Sequence, residues 1–113
     1  MAKTATDPGY AACPIRNIVD RFGDKWSLLV LYNLHTGGRL RFSEIHRRMT
    51  DISQKMLAST LRRLEQDGLL SRTVYPEVPP RVEYSLTDTG HSLKTVIDAL
   101  WNWGEDYKAK LAA

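Results

Sequence analysis

The chain has 113 residues, of which 42% are hydrophobic and 26% charged, with a formal net charge of +3 and a pI near 9.2. That length suits one domain with a real core, and the mild positive balance points only faintly to a polyanionic partner. No run nears the roughly 18 apolar residues of a membrane span, the opening MAKTATDPGYAAC has no secretory apolar core, and a single cysteine cannot close an internal disulfide; the expectation is a cytoplasmic chain that keeps Met1.

Residues 1–12 are small, polar or Gly/Pro-containing and read as a flexible N-terminal arm, leaving 13–113 as the single domain. A first helix is expected at CPIRNIVDRFG, with Pro14 at its first position and Gly23 as a left-handed residue after its end. In DKWSLLVLYNLHTGG, Asp24 suits an N-cap and Gly37-Gly38 a stop. Trp26, Leu28, Leu29, Val30, Leu31 and Leu34 go most of the way round this second helix, which marks it as central and buried.

RLRF is a short candidate strand. SEIHRRM follows as a helix capped by Ser43, then the break TDI, then SQKMLASTLRRLEQDG, capped by Ser53 and ended by Gly68. Two short helices about a tight turn, the second longer, form a helix-turn-helix pattern. Two strands are expected at 70–75 and 81–86 around PEVPP, and Thr87 caps a long helix over roughly 88–110. The fold class that follows is mainly α with a small β-hairpin wing: a winged helix-turn-helix with helices added at both ends.

Charge concentrates in the middle. Residues 39–81 carry nine of the sixteen Lys and Arg and five Asp and Glu, a net of +4, which leaves −1 for the rest. On the helix at 54–67, Met56, Leu57, Thr60, Leu61 and Leu64 share one face at 100° per residue, and Lys55, Ser59, Arg62, Arg63 and Gln66 lie on or near the opposite one. These polar types read base edges and phosphates in a major groove. An ordinary amphipathic surface helix shows the same split, and the helix-turn-helix context with the basic hairpin favours DNA. Arg72 and Arg81 sit on the two arms of the hairpin, where they can neutralise phosphates. Pro76, Pro79 and Pro80 stiffen its tip, and Val82, Tyr84 and Leu86 alternate toward the core.

In the last helix Leu93, Ile97, Leu100, Gly104, Tyr107 and Leu111 are spaced 4, 3, 4, 3, 4, a heptad-like seam flanked by Trp101 and Trp103. With Ile15 and Ile18 of the first helix it is the candidate homodimer interface. Cys13 precedes Pro14 at a helix N-terminus, where N–H groups and the helix dipole favour a thiolate. An inert, half-buried cysteine fits the same position equally well.

The segments CPIRNIVDRFGDKWSLLVLYNL, RFSEIHRRMTDISQKMLASTLRRLEQDGLLSRTVYPEVPPRVEYSLTDTG and LWNW together resemble the HxlR-type winged helix-turn-helix regulators, relatives of the MarR type, over roughly residues 13–107. The resemblance implies dimeric, sequence-specific DNA binding, and the helix-turn-helix with its basic wing, paired in a dimer, leads to the expectation of a pseudo-palindromic double-stranded operator. It carries Ser53, Gln54, Lys55 and Ser59 over as recognition-helix contacts and Arg81 as a wing contact. Some regulators of this type sense oxidants or electrophiles through a cysteine placed like Cys13. The full DNA-facing set is Ser43, Ser53, Gln54, Lys55, Ser59, Arg62, Arg72 and Arg81.

Enzyme readings find no support. His35, His46 and His91 have no metal-ligand spacing with the lone cysteine, and TGG at 36–38 lacks the lysine of a phosphate loop. The expectation is no catalytic residue, no metal, no cofactor and no membrane partner, with any small-molecule effector unidentified. The rival readings are a winged-helix protein adaptor and a regulator switched by a small ligand in place of Cys13.

Overall fold

The computed structural model describes residues 13–112; the arm expected at 1–12 lies outside the described residues. The elements are α1 (Pro14–Phe22), α2 (Ser27–Gly37), β1 (Leu40–Arg41), α3 (Phe42–Arg48), α4 (Gln54–Gln66), β2 (Leu70–Tyr75), β3 (Arg81–Leu86), α5 (Asp88–His91) and α6 (Lys94–Ala112).

α2 is the hub. Val30, Leu31 and Leu34 are fully buried, and Ile45 of α3 with Leu57, Leu61 and Leu64 of α4 close over them. Leu28 is half-buried, whereas Leu29 is 43% exposed, so the apolar girdle of α2 is incomplete on the side facing α6. The antiparallel sheet runs β1-β3-β2, with Arg72 opposite Tyr84 and Tyr75 opposite Arg81 in the hairpin. Leu70 and Leu86 tie the base of the hairpin to the core. The two wing strands match the expected 70–75 and 81–86.

Gly38 and Gly68 both have φ 77° and end α2 and α4 as their sequence positions imply. Gly23 differs from expectation: its φ is −76°, so it is not left-handed. Its lack of a side chain matters for space, because a Cβ there would fall 2.4 Å from the Val19 carbonyl oxygen.

α2 begins at Ser27, not directly after Asp24. Asp24 still caps it from a distance: one Oδ2 accepts from the Trp26 and Ser27 N–H groups, at 3.1 Å each. The expected single C-terminal helix is broken. Thr87 caps only the short α5, accepting from the Gly90 N–H. Ser92 and Leu93 then form a tightened turn, with Ser92 Oγ donating to the Thr89 carbonyl and Leu93 N–H to that of Gly90, before α6 starts at Lys94.

α1 contributes one buried side chain, Phe22, and leaves Ile15 75% and Val19 61% exposed. A nine-residue helix is marginal without tertiary packing. α6 likewise buries only Ile97.

Candidate nucleic-acid interface

The helix-turn-helix is held by its turn. Met49 and Ile52 are buried, and the His46 ring Nε2 lies 2.9 Å from the Ile52 carbonyl oxygen. Ser53 Oγ accepts from the Met56 N–H at 3.0 Å and caps α4 as its position implies. Ser43 does not cap α3. The helix begins one residue earlier, and Glu44 reaches back to accept from the Arg41 N–H at 2.8 Å, leaving Ser43 exposed in the first turn. Glu at the third helical position thereby satisfies the N–H of the N-cap residue, the reaching-back half of a capping box.

α4 buries Leu57, Thr60, Leu61 and Leu64; the Thr60 hydroxyl is fully enclosed and donates to the Met56 carbonyl. Met56, placed on the apolar face by periodicity, is 43% exposed at its rim. Ser53, Gln54, Lys55, Ser59 and Arg62 are all exposed along the outer side and N-terminal end of α4, as a reading head requires.

Arg63 leaves that outer face. Its Nη2 lies 3.1 Å from Asp24 Oδ2 and donates to Ser27 Oγ at 2.7 Å. Ser27 Oγ in turn donates to Asp24 Oδ1, so one buried hydroxyl links the start of α2 to the last turn of α4. Burial works to raise the Asp24 carboxyl, but the hydrogen bonds from Ser27 and Trp26 and the Arg63 charge outweigh it and hold the group below its ordinary value.

The two wing arginines have different surroundings. Arg72 is exposed and lines a cleft of about 350 Å³ between α4 and the sheet, with Phe42, Ala58, Arg62, Glu65 and Tyr84. Arg81 is enclosed by its neighbours. Its guanidinium carbon lies 4.1 Å from the Tyr75 ring centroid, Nη2 is 3.2 Å from Glu77 and Nε is 3.6 Å from Glu83. Arg39 joins the same group, donating to Tyr75 Oη at 2.9 Å and lying 3.7 Å from Glu83. Arg81 is therefore charge-compensated by neighbours that its place on the hairpin arm did not reveal. Glu77, Glu83, Tyr75 and Arg39 were missed by sequence reasoning; a glutamate four residues before Arg81 was the available signal.

A second surface lies at the other end. Leu100, Trp101, Trp103, Tyr107 and Leu111 of α6 are each about half exposed or more, as are Ile15 and Ile18 of α1. Trp101 stacks on Tyr32 of α2, ring centroids 5.1 Å apart, and a groove of about 310 Å³ lined by Leu28, Leu29, Ile97, Leu100 and Gly104 opens beside it. The seam faces two ways: Ile97 is 6% exposed and Leu93 packs on the core, so these two are taken up by packing within the single chain. Cys13 is half-buried at the N-cap of α1, where Sγ accepts from the Arg16 N–H at 3.4 Å.

Among the described residues, no group of three or more His, Cys, Asp and Glu could hold a metal ion, and no helix is long and apolar enough to cross a membrane.

A model of the HxlR-like helix-turn-helix family matches residues 21–112. An uncharacterized HTH-type transcriptional regulator of Methanothermobacter thermautotrophicus is 54% identical over 116 residues, covering 92% of this chain and 88% of that protein. The redox regulator HypR in its reduced form superposes with a TM-score of 0.82 at 39% identity, covering 88% of this chain and 98% of that one. The reduced form of the transcriptional regulator YodB from B. subtilis superposes with a TM-score of 0.73 at 36% identity, covering 84% and 93%.

Proposed function

The chain belongs to the HxlR-like helix-turn-helix family, whose members are transcription regulators rather than enzymes, and from that premise we propose that it is a dimeric, sequence-specific DNA-binding repressor. The observation that carries this reading is the outer side of α4, where Gln54, Lys55, Ser59 and Arg62 stand exposed on a helix whose other side is locked into the core. α4 enters the major groove and its polar side chains meet base edges; Ser53 and Ser43 lie at helix starts suited to phosphate contact. The wing follows the backbone with Arg72 and Arg81.

Two copies pair through α1 and the exposed half of α6, with Ile15, Ile18, Leu100, Trp101, Gly104 and Tyr107 in the interface. Supporting this is the amount of apolar side chain these helices leave uncovered, which two-fold pairing would bury. Two recognition helices then address the half-sites of a pseudo-palindromic operator about 34–36 Å apart.

Cys13 is the residue through which oxidants act. Supporting this are its place beside the proposed interface and the likeness to HypR, a redox regulator. With one cysteine per chain, the reversible disulfide products are a bond between two protomers or a mixed disulfide with a small thiol. The protein acts in the cytoplasm, with its genome.

A gel shift against the DNA upstream of its own gene tests the reading. A retarded, competitor-resistant complex is expected; mobility unchanged by the protein at low salt would overturn it.

A further inference from the structure

The wing holds a short open chain of ion pairs. Arg39, Glu83, Arg81 and Glu77 alternate in sign along it, with spacings of 3.7, 3.6 and 3.2 Å. Two cations and two carboxylates cancel, so these four residues offer DNA no net charge while the three pairs hold. The members are not held equally. Glu83 is 18% exposed, sits on the central strand of the sheet and serves two arginines. Glu77 is 49% exposed, lies in the connection between the strands and, among the described residues, pairs with Arg81 alone. Tyr75 covers one face of the Arg81 guanidinium, at 4.1 Å from the ring centroid, and takes no part in the contact with Glu77.

We propose that Glu77 is an internal competitor for DNA phosphate at the wing: it occupies Arg81 in the free protein, and the wing engages DNA when Arg81 exchanges Glu77 for a backbone phosphate. The inference rests on the DNA-binding reading above. An exposed ion pair contributes little because water screens it, so the exchange is within reach of one phosphate contact. Tyr75 and Glu83 keep the guanidinium in place during the swap. Glu77 thus sets how strongly the wing grips DNA, in a manner independent of base sequence.

The test is equilibrium binding of the full chain to a mixed-sequence duplex across a salt series. Wild type, Glu77→Gln, Arg81→Gln and the double variant are compared. Glu77→Gln should bind about two- to fivefold tighter, with a salt slope steeper by up to about 0.9, one phosphate's worth. In the Arg81→Gln background, Glu77→Gln should bring no further gain. Equal binding by wild type and Glu77→Gln would overturn the inference. So would a gain of the same size with Arg81 absent, which would make Glu77 a diffuse negative charge instead of a competitor. Failure of the wild type to bind any duplex at low salt would remove the DNA reading itself.

Discussion

Arg63 Nη2 lies 3.1 Å from Asp24 Oδ2, a contact across 39 residues of chain that joins the start of α2 to the last turn of the candidate recognition helix. Ser27 completes it from a fully buried position, accepting from Arg63 and donating to Asp24. Ser27→Ala leaves both charged groups short of a partner and should cost about 1–2 kcal/mol in urea unfolding. The volume change is small, so a cost near zero would mean that the link does not hold the helix.

The same link gives a pH dependence. Asp24 is held below its ordinary value in the folded chain, so its contribution is present above the unfolded carboxyl value near 3.9 and fades as pH falls through the lower folded value. Thermal melts from pH 6 down to about pH 3 should show Asp24→Asn losing less stability on acidification than wild type. Parallel curves would assign the acid sensitivity to other carboxylates.

Recognition residues and wing residues should fail differently. Gln54→Ala and Lys55→Ala should change which duplex is preferred, each by about 1–3 kcal/mol at the bases it reads. Arg72→Ala should weaken all duplexes alike and lower the salt slope by about 0.9. Arg81→Ala should lower the slope less, because two glutamates already offset its charge. A uniform loss for Lys55→Ala would make it a phosphate contact.

Leu100→Asp tests the proposed dimer without touching the core, since Leu100 is 50% exposed in the single chain. An unpaired charge inside an interface costs several kcal/mol. Sedimentation should find folded monomers with reduced operator affinity. A folded variant that stays dimeric would move the interface away from α6.

Most of the fold was legible because its signals are local. Ser53, Gly38 and Gly68 mark helix ends by their own chemistry, and the prolines bound two alternating strands at their observed limits. The errors arose where a neighbour took over a role. Glu44 displaced Ser43 as the cap of α3, Asp24 capped α2 from three residues before its start, and the Ser92 hydroxyl helped tighten the turn that splits the last helix. The surface of α4 was placed correctly by periodicity except at Met56 and Arg63. Periodicity assigns a direction to a Cα; it does not say that a long arginine side chain turns back to a carboxylate 39 positions away. The chain of ion pairs in the wing was hidden for the same reason, since Arg39 meets Tyr75 and Glu83 only once the sheet has formed.

Cys13→Ser separates chemistry from structure. Cys13 caps α1 by accepting from the Arg16 N–H, and serine is a good cap at that position. The variant should therefore fold and bind DNA like wild type while losing its response to diamide. Loss of DNA binding before any oxidant is added would make Cys13 a structural residue, and an unchanged diamide response would mean that the response does not run through a thiol of this chain.

If α4 reads sequence for a two-fold dimer, in vitro selection from a random duplex pool will reveal the operator's symmetry. Selected sequences should contain two inverted half-sites centred about 10–10.5 base pairs apart, bound at least about 10³-fold tighter than a scrambled duplex. The preference should shift in Lys55→Ala. A pool that shows no enriched motif, or a selected duplex bound no better than its scramble, would contradict the account.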